Sequence, residues 1–247
     1  MGFADLHIHT TYSFDGTSTV NAVLKKAGEV GLNVIAITDH DEIQGSLEAM
    51  EEAPAYGIEV IPGSEVTTAE GHLLALFIHQ RVPKDLSLEE TLRYVADQNG
   101  VCIAPHPGGF RYNSLGPDVI RRALQKPDLA KVLLGIEVYN AGLLQLNGNL
   151  TAQRLADELP VARIGSSDAH LLWMIGKGET YFRGTSALQL RRSLETGLTR
   201  PVQGKPDSRF SLVVRWISRY ALRKAGWVST NAGPQAPFRL ARQASER

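Results

Sequence analysis

The sequence Phe3-Ala-Asp-Leu-His-Ile-His9, at the start of the chain, has the pattern of a β-strand that ends in polar residues. Because successive side chains of a strand point to opposite faces, Asp5, His7 and His9 are expected to share one face. The apolar residues between them are expected to face the other way. The stretch therefore predicts a strand over residues 3–8 that presents two imidazoles at its carboxyl end.

Short apolar runs of the same kind recur along the chain and alternate with turns and helical patterns. They predict seven strands, at residues 3–8, 33–38, 58–62, 73–79, 101–105, 134–139 and 161–165, with a weaker eighth at 179–182. Helices are predicted at residues 19–31, 43–57, 87–99, 117–125 and 149–159. This alternation favours parallel βαβ units and, at this length, a closed (β/α) barrel. No glycine-rich nucleotide fingerprint follows the first strand, which disfavours an open doubly wound sheet.

The charges of the chain are divided unevenly. All 247 residues together carry 26 Lys+Arg and 26 Asp+Glu, yet residues 1–199 hold 16 basic and 24 acidic side chains and residues 200–247 hold 10 and 2. A hydrophobic content of 43% excludes a wholly disordered or collagen-like chain. We predict a barrel domain over residues 1–200 and a basic extension over residues 201–247.

The lone Cys102 cannot form an internal disulfide and is expected to be a small buried apolar residue. The first five residues lack the basic and then apolar pattern of a secretion signal. No apolar run reaches the roughly 18 residues that a membrane-spanning helix needs. A cytoplasmic protein is therefore expected.

Polar side chains that could bind metals lie at the predicted strand ends, which meet at one mouth of a barrel. They are His7, His9, His40, Glu65, His72, His106, Asp168 and His170, with Asp15 in the loop after the first strand. His79 is out of phase with His72 and is expected to face away, whereas Asp5 is expected to orient an imidazole. Nine donors exceed the three or four of one zinc site, which predicts two or three divalent ions. Nitrogen and oxygen donors without thiolate favour Zn, Mn or Fe.

The motifs occur in a recognisable order over roughly residues 3–185. They are His7-x-His9, Thr38-Asp-His40, Gly63-x-Glu65, Pro105-His106-Pro107 and Asp168-x-His170, and they resemble the PHP (polymerase and histidinol phosphatase) superfamily. The resemblance implies a distorted (β/α)7 barrel with a trinuclear metal site at the C-terminal mouth. One metal would bind His7, His9, Glu65 and Asp168, a second Glu65, His72 and His106, and a third Asp15, His40 and His170. Asp15 stands where some members have His, and Asp at this position resembles the stand-alone phosphoesterase branch.

The resemblance also implies hydrolysis of phosphate esters by water that the bound cations activate. Asp168 is expected to help position that water, and Arg111 and then Lys177 to bind the remaining phosphate charge. Arg111 is thus a catalytic candidate beside Asp168. The expected substrate is a small phosphomonoester or a nucleotide, such as a nucleoside bisphosphate or a short oligonucleotide, so nucleic acid is a candidate substrate. Histidinol phosphate is the alternative.

Two other functions compete with phosphoester hydrolysis. One is a non-catalytic binding module in which metals only stabilise the barrel and the basic tail binds a partner. The complete donor set favours catalysis over this role. The other is an amidohydrolase-type barrel, which shares the HxH motif. The chain is short for such a barrel, and the Thr38 and Gly63 motifs fit the PHP pattern better.

The basic tail contains a helical pattern between residues 209 and 228. Apolar residues recur at spacings of three and four, at Leu212, Val213, Trp216, Ile217, Tyr220 and Ala221, and cations lie off that stripe at Arg215, Arg219, Arg223 and Lys224. The pattern predicts an amphipathic helix that docks on the barrel, with contact to nucleic acid or a membrane surface as the alternative. Disorder is predicted from Ser229 onward. The sequence leaves the oligomeric state open.

Overall fold

The computed structural model describes residues 1–108, 113–142, 148–204 and 208–227, and of residues 209–210 the backbone only. The strands are β1 (Gly2–Ile8), β2 (Val34–Ile37), β3 (Glu59–Thr68), β4 (Gly71–Leu76), β5 (Val101–Ala104), β6 (Leu133–Asn140), β7 (Ala162–Ser166), β8 (Gly178–Phe182) and β9 (Arg200–Gln203). The α-helices are α1 (Val20–Val30), α2 (Gln44–Glu52), α3 (Leu88–Asp97), α4 (Pro117–Leu124), α5 (Pro127–Ala130), α6 (Gly148–Glu158), α7 (Ala187–Glu195) and α8 (Arg209–Lys224). The predicted disorder after Ser229 lies outside the described residues.

The nine strands form one sheet in the order β7-β6-β5-β4-β3-β2-β1-β8-β9. Strands β1 to β3 run parallel, and so do β5 to β7. The segment that follows β7 pairs with the end of β1, where His9 N donates to Ala169 O at 2.9 Å and Ala169 N donates to His7 O at 3.2 Å. These bonds bring the sheet close to closure, so the structure confirms a distorted barrel.

The strand β4 departs from the predicted parallel order. It pairs antiparallel with both neighbours, and β8 pairs antiparallel with β1, so the expectation of parallel βαβ units holds for β1–β3 and β5–β7 but is wrong for β4 and β8. Strands β3 and β4 form a hairpin with a two-residue connection, and Gly71 then adopts φ 141°. A side chain at Gly71 would collide with the backbone of Ser114. The hairpin leaves no room for a crossover helix between these strands.

The strand β3 continues six residues beyond its predicted end at Pro62. The prediction ended the strand before Gly63-Ser64, but these small residues pair with β4. A Cβ at Gly63 would lie 2.9 Å from Ala75 O, so glycine permits this close approach of the two strands. In consequence Glu65 lies within β3, and His72 lies within β4 instead of preceding it.

Local signals in the sequence place two helix starts correctly. Thr19 caps α1 by accepting from Ala22 N at 3.4 Å, and Gly31 ends the helix with φ 84°. Ser87 and Glu90 form a capping box at the start of α3, within the helix predicted over residues 87–99. Helices α5 and α7 and strand β9, in contrast, were not predicted.

The barrel interior is filled by apolar side chains from most of its strands. The fully buried members on the strands are Ala4, Leu6, Val34, Ala36, Ile61, Leu74, Leu76, Ile103, Ile164 and Phe182. Leu190 and Leu194 of α7 join the same cluster, and α7 contacts β3, β6, β7 and β8. A second cluster, which includes Ile35 and Ile37, packs against α1 and α2. The core thus fixes the strand ends that carry the polar residues.

The helix α8 docks on the barrel, as the first interpretation of the tail predicted. Leu212 is buried among the apolar residues around α1, and Trp216 packs against the same cluster. The Arg215 guanidinium lies 5.1 Å from the centre of the Trp173 ring, a cation–π distance. Among the helices of the described ranges, none combines the length and apolar character that crossing a bilayer requires.

The thiol of Cys102 should be unreactive in the native protein. The residue is fully buried in β5, and burial raises the pKa of its thiol because no charge stabilises the thiolate there. A disulfide reagent such as dithiobis(nitrobenzoate) should label less than about a tenth of the native protein within an hour and all of the unfolded protein. Rapid stoichiometric labelling without loss of structure would contradict this burial.

Candidate metal centre

The carboxylate of Glu65 lies at the centre of a cluster of imidazoles, and its side chain is 1% exposed. Its two oxygens lie 2.9–3.3 Å from ring nitrogens of five histidines, which are His7, His9, His40, His72 and His106. The first three contact Oε2 and the last two contact Oε1. One carboxylate is therefore shared by imidazoles from strands β1 and β4 and from the loops after β1, β2 and β5.

Two further carboxylates extend the cluster towards solvent. Asp168 Oδ1 lies 3.4–3.5 Å from ring nitrogens of His7, His9 and His170. Asp15 Oδ2 lies 3.0 Å from His170 Nε2 and 3.4 Å from His40 Nε2. All nine donors that the sequence predicted are thus brought together. His79, which was expected to face away, is exposed after β4 and lines a separate surface pocket.

The donors fall into four groups, within each of which the ligand atoms lie within 4.8 Å of one another. The groups are His9/Asp15/His40/His170, His7/Glu65/His106, His7/His9/Asp168 and His40/Glu65/His72. Each of the nine residues belongs to at least one group. His72 and His106 were assigned to one metal from the family resemblance, but here they contact the same Glu65 oxygen from different groups. The allocation of ligands to individual metals stays a prediction.

Two polar atoms in this cluster make no hydrogen bond with the described residues, although one of them, His9 Nε2, lies within 3.4 Å of oxygens of Glu65 and Asp168. They are His9 Nε2 and Asp15 Oδ1, and both are buried. Buried polar atoms nearly always find a partner, because an unpaired one retains the cost of leaving water. Nitrogen and oxygen donors with free lone pairs at this spacing fit divalent cations. The residues present therefore match the metals that the sequence implies.

The acidic and basic groups of the cluster hold each other in their charged forms. Burial disfavours a charged imidazole at His7, but the nearby carboxylates of Asp168 and Glu65 outweigh it and raise the pKa of His7 well above its ordinary value. Burial likewise opposes the Glu65 carboxylate, yet the surrounding imidazoles hold its pKa well below its usual range. The pKa of His170 rises to about 9, since Asp15 and Asp168 outweigh burial. Cations would compete with protons for these lone pairs.

Sequence reasoning missed Glu137, a fully buried carboxylate on β6 that supports the cluster from below. Its Oε1 lies 3.2 Å from His7 Nδ1, and its Oε2 accepts from His106 N at 2.8 Å and from Asn140 Nδ2 at 2.7 Å. One side chain thus orients the His7 ring and fixes the His106 backbone. A single carboxylate inside an otherwise apolar strand was the signal that could have identified it.

The loop after β1 is fixed by Asp39 of the Thr38-Asp-His40 motif. Asp39 Oδ1 accepts from Thr10 N at 2.6 Å and from Ser13 N at 3.1 Å. Ser13 Oγ in turn lies 3.1 Å from His9 Nδ1 and accepts from His40 N at 2.9 Å. The central residue of the motif therefore acts through the loop, whereas its neighbour His40 is one of the donors.

Asp5 does not orient an imidazole, and that expectation is wrong. Its carboxylate accepts from Ser167 N at 3.0 Å and from Gly176 N at 3.1 Å. A register shift in β1 between Asp5 and Ile8 breaks the regular alternation on which the expectation rested. Burial raises the pKa of Asp5 to about 7, against the opposing effect of these hydrogen bonds.

Two of the donors adopt backbone conformations that are unusual for residues with side chains. His106 has φ 33° and Asp168 has φ 49°, both in the left-handed region. Such residues carry strain that the surrounding contacts must offset, and they cluster at functional sites. The contact of Glu137 with His106 N is one of those offsetting interactions.

Seven of the nine donors, all except His7 and His9, line the floor of a cavity of about 470 Å³ that opens to solvent. Phe14 and the α8 residues Val213, Trp216, Ile217 and Tyr220 form its wall. Lys177, just before β8, is not among the described residues that line it, and Arg111 lies outside the described residues. The substrate contacts of Arg111 and Lys177 therefore stay predictions.

The helix α8 also holds the loop that carries Asp15. Arg223 Nη1 donates to Ser13 O at 2.6 Å and also to Gly16 O, and Arg223 Nη2 donates to Thr11 O at 2.9 Å. Trp216 Nε1 donates to Asp15 O at 3.2 Å. Four carbonyls of one loop are thus bound by two side chains of the C-terminal helix, which fixes the loop against the barrel.

Comparisons with known protein families and curated proteins support this arrangement. The family model described as the PHP domain matches residues 5–181. An uncharacterized protein of Methanocaldococcus jannaschii is 36% identical, over 64% of this chain and 93% of that protein. A protein of Haemophilus influenzae named a 5'-3' exoribonuclease is 36% identical, over 39% of this chain and 36% of that protein.

Among solved structures, a two-domain protein of Bacteroides vulgatus has a similar fold. It is described as containing a predicted PHP-like metal-dependent phosphoesterase. The TM-score is 0.69 at 20% sequence identity, over 88% of this chain and 69% of that chain. At this identity the similarity concerns the fold alone.

Replacing Glu137 with glutamine should weaken metal binding. The carboxylate accepts hydrogen bonds through both oxygens, whereas the amide has one oxygen and one NH₂ group. The NH₂ group cannot accept a hydrogen bond, so the His7 ring or the His106 backbone loses its partner. We expect about 10–100-fold weaker binding of Zn or Mn in a competition titration with a chromogenic chelator. Glu195→Gln, at an exposed position on α7, should bind metal like the wild type. Equal affinity in both variants would contradict a supporting role for Glu137.

Replacing Arg223 with alanine should destabilise the protein, because three loop carbonyls lose a charged donor. We expect the free energy of unfolding to fall by about 1–3 kcal/mol in urea titrations. Arg192→Ala, at an exposed position on α7, should change it by less than about 0.5 kcal/mol. If both variants unfold at the same urea concentration, the Arg223 contacts do not stabilise the fold.

Proposed function

Since this chain belongs to the PHP domain family, we propose that it is a metal-dependent phosphoric ester hydrolase whose substrate is a small phosphomonoester or a nucleotide. The observation that carries the proposal is the open cavity over nine clustered donors. Purely structural metal sites are closed by their ligands, whereas catalytic sites leave room for water and substrate. The open cavity therefore supports catalysis over a metal-stabilised binding module.

Divalent cations held by these donors would draw charge from the phosphate oxygens and lower the pKa of a water molecule. The residues of the chain supply the positions. Glu65 would lie between cation sites, because its two oxygens face different imidazoles. Asp168 would orient the attacking water through Oδ1, while Asn140 Nδ2 holds Oδ2 at 3.2 Å. Arg111 is proposed to bind the remaining phosphate charge, with Lys177 as the second candidate.

The nucleotide class has some support from the relatives. The Haemophilus influenzae protein is named a 5'-3' exoribonuclease, and this chain spans 36% of it. Nucleoside bisphosphates and short oligonucleotides are therefore proposed before histidinol phosphate, which remains the alternative substrate.

Activity should depend on the histidines of the metal cluster and not on a histidine outside it. Protein loaded with Mn or Zn should hydrolyse an aryl phosphate, and a chelator should abolish the hydrolysis. His9→Ala should lower kcat/KM by at least about 100-fold, more than the loss of an outer partner does, and should lower the metal content. The control is His79→Ala, which removes an exposed imidazole outside the cavity. Full activity and metal content in His9→Ala would refute the proposal.

A substrate panel would separate the candidate functions. It contains nucleoside monophosphates, nucleoside bisphosphates, short RNA and histidinol phosphate, each assayed by release of inorganic phosphate or of nucleotide. We expect the highest kcat/KM for a nucleotide. A clear preference for histidinol phosphate would overturn the nucleotide assignment, and a fully metal-loaded protein that hydrolyses nothing would favour the binding module.

A further inference from the structure

One wall of the cavity comes from a part of the chain that the family match does not include. The match ends at residue 181, whereas α8 begins at Arg209. Val213, Trp216, Ile217 and Tyr220 of α8 line the same cavity as Glu65. The helix therefore lines the site but supplies none of the nine candidate metal ligands. Its residues are candidates for substrate selection in this particular chain.

The wall formed by Phe14 and α8 is apolar, although the floor beneath it is charged and Asn113 and Ser114 line the cavity elsewhere. Ile217 is 55% exposed, Phe14 67% and Val213 37%, so large apolar side chains surround the mouth and remain in contact with water. An apolar surface beside a few convergent polar groups is typical of small-molecule pockets, in which the apolar part binds the organic portion of the ligand. The volume of about 470 Å³ lies within their usual range.

Aromatic rings make up part of the wall. Trp216 and Tyr220 are stacked, with ring centres 5.2 Å apart and an angle of 16° between their planes. Phe14 belongs to the loop after β1 and stacks against His40, one of the donors, at 5.1 Å. A flat ring offers these side chains dispersion contacts and favourable ring geometry. A polyhydroxylated group would leave hydroxyl groups facing carbon atoms without hydrogen-bond partners.

The wall is held in a fixed position relative to the floor. Trp216 donates a hydrogen bond to the backbone carbonyl of Asp15, whose side chain belongs to the candidate metal cluster. Leu212 is buried in the barrel flank. The distance between the metal-binding floor and the apolar wall is thus set by packed contacts. A substrate must place its phosphate on the floor and its organic group against α8 at the same time.

We propose that α8 selects phosphate esters that carry an aromatic ring, as nucleotides do, and discriminates against sugar and polyol phosphates that lack one. The inference rests on the proposed function, since it assigns the phosphate to the donor floor. Ile217 is proposed as a residue that determines specificity through contact with the ring. It takes no part in binding metal or in the chemical step.

Ile217→Ser tests the proposal, with Val214→Ser as the matched control. Both positions are exposed on α8, but Val214 does not line the cavity. The substrates are 1-naphthyl phosphate and glycerol 2-phosphate, assayed with saturating Mn. Ile217→Ser should raise KM for the naphthyl ester at least about fivefold with little change in kcat, and should change KM for the glycerol ester less than about twofold. Val214→Ser should leave both values unchanged. Equal effects on the two esters, or none, would overturn the proposal.

A binding measurement separates this proposal from the proposed function. Naphthylmethylphosphonate and methylphosphonate, which cannot be hydrolysed, are titrated into the metal-loaded protein by calorimetry. The naphthyl compound should bind at least about tenfold more tightly, and Ile217→Ser should remove most of that difference. If this holds although neither ester is hydrolysed, the wall selects ligands and the hydrolase assignment fails. Equal affinity for the two phosphonates would refute the selection by α8, whatever the activity.

Discussion

The structure depends on the burial of one carboxylate. Glu65 is 1% exposed, and an unpaired carboxylate at that depth would cost several kcal/mol. Five imidazoles surround it, and they reach it from β1, from β4 and from the loops after β1, β2 and β5. The strands can satisfy Glu65 only in the register that brings those ends together. The need to neutralise the buried Glu65 charge therefore also favours the strand arrangement of the barrel.

The sequence was sufficient to predict the features that depend on local patterns. The strand positions follow from apolar runs, and the helix starts at Thr19 and Ser87 follow from capping residues. The β3–β4 hairpin could not be recognised in this way. The local pattern ends the predicted strand at Pro62, and only the close approach of Ala75 from the neighbouring strand explains why Gly63 lies inside β3. Pairing between strands overrides such local signals.

In the candidate site, too, residues that follow a local pattern could be predicted, whereas those that depend on tertiary contacts were missed. The nine donors could be predicted because imidazoles and carboxylates at the ends of apolar strands are conspicuous. Glu137 was missed although it is the single carboxylate of an apolar strand, because its contacts with His7 and with the His106 backbone form only in the folded barrel. Asp5 was misassigned because a register shift in β1 is invisible in the sequence. The pattern of α8 predicted an amphipathic helix that docks. It did not indicate that part of the apolar stripe would line the cavity with Val213 and Ile217.

The contacts of Arg223 join positions far apart in the chain, since Thr11, whose carbonyl it binds, precedes it by 212 residues. During synthesis the last donor, His170, leaves the ribosome more than 50 residues before Arg223 does. Domains form from the N-terminus as the chain emerges, at about 5–20 residues per second, so this interval lasts seconds. A chain that has emerged as far as His170 but not as far as Arg223 therefore holds every donor while the loop of Asp15 still lacks its anchor. The emergence and docking of α8 is the event that finishes the pocket.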